Sequence, residues 1–95
     1  MARFVLDQKP EAEQELAALL VNSPAGLQRQ ISDASDAIDA KVVYADLLPN
    51  YRRRKGLART YTLTVFPLMA EYEVDEQSKM VTILHYYLKP RIHHP

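Results

Sequence analysis

The run Tyr61-Thr-Leu-Thr-Val-Phe-Pro-Leu-Met-Ala-Glu-Tyr-Glu-Val-Asp-Glu-Gln-Ser-Lys-Met-Val-Thr-Ile-Leu84 constrains this chain most. It is rich in β-branched and aromatic residues. Turn-forming residues interrupt it twice, at Phe66-Pro67 and at Asp75-Glu-Gln-Ser78. The pattern predicts three consecutive antiparallel strands, at about 58–66, 69–75 and 79–88. In the middle strand Ala70, Tyr72 and Val74 share one face, with Glu71, Glu73 and Asp75 on the other. In the last strand, alternation places Val81, Ile83 and His85 on one face and Thr82, Leu84 and Tyr86 on the other. Both faces therefore carry apolar surface. One suits the packing of helices, and the other is available to a partner.

The preceding residues show helical periods. Pro10 suits a first helical position, where a missing N–H costs nothing. Glu11, Glu13 and Glu15 complement the helix dipole. Ala12, Leu16, Leu19 and Leu20 form one face, and Leu27, Ile31, Ala34 and Ile38 continue the period. Asn22-Ser23-Pro24 reads as the joint between two helices, with Ser23 as N-cap and Pro24 as first residue of the second. Lys41 to Asn50 has no clear period and reads as a connector packed on the core. Arg3 to Leu6 is a short apolar run suited to an edge or returning strand. The expected fold is α+β, an N-terminal strand and a helical hairpin packed on a small antiparallel sheet.

The 95 residues form one domain, 1–95, large enough for a modest core without staples. The chain has no Cys, which excludes disulfides and thiolate metal sites. No apolar run approaches the roughly 20 residues of a membrane span, and Met1-Ala-Arg-Phe4 shows no signal peptide. The expectation is a cytoplasmic protein with no membrane partner. Net charge is zero but unevenly placed. Residues 1–50 hold 4 Lys/Arg against 8 Asp/Glu, and residues 51–95 hold 8 against 4. The positive half contains the strands, which suggests an anionic partner on the sheet side; two differently solvated surfaces explain the asymmetry equally well.

The order helix, helix, strand, strand, strand, together with Ala70-Glu-Tyr-Glu-Val-Asp-Glu76 and Met80-Val-Thr-Ile-Leu84, resembles the RelE/ParE superfamily of bacterial toxins from type II toxin–antitoxin systems. In that family these two segments form the penultimate strand, a tight turn and the last strand. The likeness of layout covers nearly the whole chain, and that of sequence about 25 residues. The resemblance implies a RelE/ParE-like fold and a cognate antitoxin as partner. It implies one of two activities: ribosome-dependent cleavage of mRNA, or binding of DNA gyrase without cleavage. Met69 stands where the ribonucleases of the family carry an arginine that contacts RNA phosphate. Without the resemblance, the residues fit a non-toxic protein-interaction module as well.

RNA cleavage through the 2′-hydroxyl needs a base, an acid and cations for the charge that develops on phosphorus. Side chains supply all of these without a metal. His85, Tyr87 and Arg91 are the candidate catalytic group. Arg59 and Lys89 are candidate nucleic-acid contacts, and the basic run Arg52, Arg53, Arg54 and Lys55 is a candidate phosphate grip beside Tyr51 and Gly56. Each has a plainer reading, as a packed sheet residue or a solvated loop. His93 and His94 lack a matched third ligand, so no metal is expected there. Two glycines do not build a nucleotide loop, and no cofactor is expected.

Overall fold

A computed structural model describes residues 4–52 and 59–89. The elements run β1 (Val5–Gln8), α1 (Pro10–Val21), α2 (Ala25–Val42), a single 3-10 turn at Ala45–Leu47, β2 (Arg59–Val65), β3 (Leu68–Asp75) and β4 (Met80–Leu88). The segment Lys41 to Asn50 thus divides between the end of α2 and the 3-10 turn. Arg3 lies outside the described residues.

α1 begins at Pro10, with Glu11 and Glu13 in its first turn. The joint between the helices differs from the expected cap. Pro24 is the N-cap residue of α2 rather than its first residue, and α2 has no side-chain cap. The Ser23 hydroxyl instead donates to the Leu19 carbonyl (2.6 Å), and the Gln28 side chain donates to the Leu20 carbonyl (2.7 Å). Ser23 reaches backward because the last carbonyls of α1 have no intrahelical partner.

The sheet has the order β1-β4-β3-β2. β2, β3 and β4 form the expected antiparallel set, and β1 joins the edge of β4 in parallel, so the four-stranded sheet is mixed. The two-residue joint at Phe66-Pro67 brings Val65 opposite Leu68. At the second joint the Asp75 carboxylate accepts the N–H groups of Gln77 (2.9 Å) and Ser78 (3.3 Å). Lys79 closes that turn at φ 56°, in the left-handed region.

Residue by residue, β3 alternates between buried and half-buried. Leu68, Ala70, Tyr72 and Val74 meet Ile31, Ala34, Ile38 and Val42 of α2 in one core, which also takes Phe4, Ala12, Val81, Ile83 and Tyr86. Leu16, Leu19, Leu20 and Leu27 pack partly buried against it. The helical period and the strand alternation thus converge on one face of the sheet.

β4 departs from simple alternation. Tyr72 pairs with Ile83 and Glu71 with His85, so Leu84 is an extra residue in a β-bulge. Beyond the bulge the faces exchange. Tyr86, expected opposite Ile83, turns into the core at 3 % exposure, and His85 goes to the outer face. No described helix is long and apolar enough to cross a membrane.

Candidate functional site

The face of the sheet opposite the core can be built row by row from the strand register. Val5, Met80 and Asp75 form the first row. Asp7, Thr82, Glu73 and Thr60 form the second, across all four strands. His85, Glu71 and Thr62 form the third, and Tyr87, Met69 and Thr64 the fourth. Successive rows lie about 7 Å apart, because alternate strand residues point the same way.

His85 and Tyr87 are therefore neighbours on this open face. Their ring centroids lie 6.0 Å apart at an interplanar angle of 37°. The bulge brings this about, since it moves His85 off the core side. The imidazole sits between two carboxylates. Its Nδ1 is 3.2 Å from both Glu15 oxygens, and its Nε2 is 4.0 Å from Glu71 Oε1. Glu15 also accepts the backbone N–H of Tyr86 (3.2 Å). β1 pairs with β4 only as far as Ile83, and Lys9 then donates to the Ile83 carbonyl. Past that point α1 flanks β4, and Glu15 supplies an acceptor that a further strand would otherwise provide. Glu15 was not singled out from the sequence, where three alternate glutamates in a first turn read as dipole partners. Only the pairing of α1 with the β4 edge distinguishes it.

The other candidates are placed as follows. Lys89 is exposed just past β4, where its N–H donates to the Pro67 carbonyl (2.7 Å). Arg59 opens β2 opposite Val74, on the core-side register and at the other end of the sheet. Arg59 lies six residue steps from Val65, beside the Pro67 joint, a distance of about 20 Å along the strand. Arg59 and Lys89 thus do not converge. Arg52 is exposed, and the Tyr61 hydroxyl clamps its backbone, accepting from the Arg52 N–H (3.1 Å) and donating to the Arg52 carbonyl (2.8 Å). Tyr51, Tyr61 and Tyr72 stack in series at 5.8 and 5.7 Å, which fixes the chain leading to Arg52. Burial pushes the Tyr72 phenol up to about 12, partly offset by its hydrogen bond with Asn50. Arg53, Arg54, Lys55, Gly56, Arg91, His93 and His94 lie outside the described residues.

The charge of the open face runs against the sequence expectation for the sheet side. Asp7, Glu71, Glu73 and Asp75 all belong to it, whereas its rows contain no Lys or Arg. Among the described residues no Lys or Arg forms an ion pair with these four carboxylates; the only described cation paired to a carboxylate is Lys79, with Glu76 (3.8 Å). Of the basic residues in 51–95, the described Arg59, Lys79 and Lys89 stand at strand ends and Arg52 precedes β2. Among the described residues, no group of three or more His, Asp or Glu is placed to hold a metal ion.

A second polar cluster lies under the sheet. The buried Tyr86 hydroxyl accepts from Gln8 Nε2 (2.7 Å). Its phenol is raised chiefly by burial, opposed by hydrogen bonds with Ser35 and Gln8. Asp39 stands nearby with Oδ1 buried and no hydrogen-bond partner. Burial, helped by the charge of Asp36, raises the Asp39 carboxyl above the ordinary range.

No family model matches this chain, and no curated protein matches it in sequence. Solved structures do match its fold. The RelE–RelB complex of the archaeon Pyrococcus horikoshii OT3 is similar at a TM-score of 0.62 and 14 % identity, covering 97 % of this chain and 100 % of that one. The toxin–antitoxin complex RelBE2 of Mycobacterium tuberculosis matches at 0.53 and 16 %, covering 92 % and 99 %. A mutant E. coli toxin RelE in complex with a peptide of the antitoxin RelBc matches at 0.52 and 16 %, covering 97 % and 87 %. The chain has the fold of these RelE structures over nearly its whole length.

Proposed function

We propose that this chain is the toxin of a type II toxin–antitoxin pair and is made with an antitoxin that covers it. The observation that carries the reading is the fold, shared over 92–97 % of the chain with structures that contain an antitoxin. The order of elements and the Ala70–Glu76 and Met80–Leu84 strands support it from the sequence. Action by binding a protein target, with DNA gyrase as the candidate, suits the open face better than cleavage of RNA. A phosphate backbone approaching His85 meets Glu15, Glu71 and Glu73 first, and like charges in a half-desolvated site repel. Met69, apolar, stands beside Tyr87 in the outermost row.

The adjacency of His85 and Tyr87 favours a second reading, as a ribosome-dependent endoribonuclease. Here His85 and Tyr87 exchange protons with the 2′-hydroxyl and the leaving oxygen, and Arg91 steadies the phosphorane charge. Lys89 and the run Arg52, Arg53, Arg54 and Lys55 hold the RNA backbone, and Arg59, on the core-side register at the other end of the sheet, takes no part. Neither reading uses a metal or cofactor, and both place the work in the cytoplasm.

Induced expression in a bacterial host tests the conclusion. Growth arrest relieved by co-expression of the adjacent reading frame is the expected result. Unimpaired growth in several hosts overturns it in favour of a non-toxic interaction module. RNA-end mapping and a gyrase supercoiling assay separate the two modes. Intact mRNA with inhibited supercoiling supports binding. Cuts inside translated codons, lost in His85→Gln and Tyr87→Phe, support cleavage.

A further inference from the structure

The open face has a charge and apolar pattern that no part of the reading above requires. Down β3 the carboxylates Asp75, Glu73 and Glu71 occupy successive rows, and Asp7 adds a fourth at the β1 edge of the second row. Thr60, Thr62 and Thr64 line the β2 side, and Thr82 sits between Asp7 and Glu73. Apolar side chains bound both ends. Val5, 62 % exposed, and Met80 lie at one end, and Tyr87, 42 % exposed, with Met69 lies at the other. The end rows are separated by three row spacings, about 20 Å.

Of the carboxylates, Asp75 is occupied by its turn, and Glu71 has, among the described residues, only the His85 ring, at 4.0 Å. Among the described residues, Glu73 and Asp7 form no ion pair with a Lys or Arg. Two independent features therefore select an occupant: exposed apolar side chains at both ends, and between them carboxylates that form no ion pair with a Lys or Arg among the described residues. Nucleic acid does not fit the charge. A protein segment with Lys or Arg at its centre and apolar side chains at both ends fits both. Its apolar ends gain from leaving water, and its central cations match the carboxylates in sign.

We propose that the open sheet face of this protein is a docking surface for a cationic segment of a protein partner, with apolar anchors about 20 Å apart. Glu71, Glu73 and Asp7 receive the cations. Val5 with Met80, and Met69 with Tyr87, receive the anchors. The threonines of β2 accept or donate hydrogen bonds along one side. The surface is independent of toxicity: the segment belongs to an antitoxin or a target if the chain is a toxin, and to another partner if it is not.

The test is an NMR titration of the isotopically labelled full chain. The probe is a synthetic helical peptide of about fourteen residues, long enough to span about 20 Å, with central lysines and leucines at both ends. Two controls accompany it, the same peptide with glutamines for lysines, and single-stranded RNA. We expect saturable binding of the lysine peptide, with shifts concentrated at Thr62, Glu71, Glu73 and Thr82. The variant Asp7→Asn/Glu71→Gln/Glu73→Gln should bind it about tenfold or more weakly. The variant Glu11→Gln/Glu13→Gln/Asp33→Asn, which removes the same charge from the helices, should bind as the parent does. Equal weakening by the two triple variants reduces the effect to general charge attraction and overturns the proposal. So does the absence of saturable binding, equal binding of the glutamine peptide, or RNA shifting the same residues more strongly. A single-residue variant, Glu73→Gln, gives the same discrimination at smaller amplitude if the triple variant fails to fold.

Discussion

The two faces of one sheet have been put to opposite uses. On the inner face, Tyr72 and Ile83 pair across β3 and β4 and are 1 % and 0 % exposed. One residue along, on the outer face, Glu73 and Thr82 pair across the same strands and remain in contact with solvent. The backbone is shared, and so is the hydrogen-bond ladder. The inner face excludes water, and its cost of change is a cavity. The outer face keeps its polar side chains in contact with solvent, and under the docking proposal its cost of change is expressed in recognition. Stability and the proposed recognition are thus separated by a single step along a strand, and the bulge at Leu84 is where β4 resets that step.

The largest expected effect breaks the comparison most directly. Ile38→Ala or Ile31→Ala, both 0 % exposed, should destabilise the protein by about 2–5 kcal/mol in denaturant unfolding. Thr62→Ala, exposed on the outer face, should stay within about 0.5 kcal/mol. Comparable losses from the two substitutions would mean that the faces are not divided as described. Leu19→Ala should fall below the isoleucine variants, because Leu19 is only partly buried.

Tyr86→Phe examines the face exchange at the bulge. The hydroxyl is buried with Gln8 Nε2 as donor, and its removal leaves that amide short of a partner, at a cost of about 1–2 kcal/mol. No loss would indicate that Tyr86 does not enter the core.

Glu15→Ala should cost about 1 kcal/mol, with Glu15→Gln retaining most of the stability, since an amide oxygen still accepts from the Tyr86 N–H. Amide exchange at Tyr86 should accelerate in the alanine variant and much less in the glutamine one. Unchanged exchange in both would remove Glu15 as the cover of the β4 edge.

The smallest effect concerns Asp39. Its carboxyl titrates above the ordinary range in the folded protein, first through burial and then through Asp36. The folded state therefore holds the proton more tightly than the unfolded one. The associated stability is complete below the unfolded value, near 3.9, and is lost as pH rises through the raised folded value. Asp39→Asn should accordingly raise Tm at pH 7 and have little effect at pH 3. A gain of equal size at both pH values would show that the raised carboxyl is not its source.

Much of this structure was legible in the sequence because it rests on local patterns. Period 3.6 in Ala12, Leu16, Leu19 and Leu20 and in Leu27, Ile31, Ala34 and Ile38 marked both helices and their buried side. Period 2 in Ala70, Tyr72 and Val74 marked the inner face of β3. Phe66-Pro67 and Asp75–Ser78 marked the joints, since each turn is built from its own residues. The candidate site was legible in part. His85 and Tyr87 were chosen for their chemistry and, as alternate residues of β4, share a face, but the bulge turns them to the open face where simple alternation puts His85 on the core side. Three things were decided only by tertiary structure. An extra residue in β4 is defined by its partner strand, so Leu84 looks like any other strand residue until β3 is beside it. The parallel place of β1 next to β4 joins residues some 75 positions apart, as Val5 and Met80, and no local signal encodes such a pairing. The sign of the open face also depends on register. Summed over residues 51–95 the charge is positive, yet the charged positions that point outward from β1 and β3 are all carboxylates, because charge acts through where a side chain points and not through the segment that contains it.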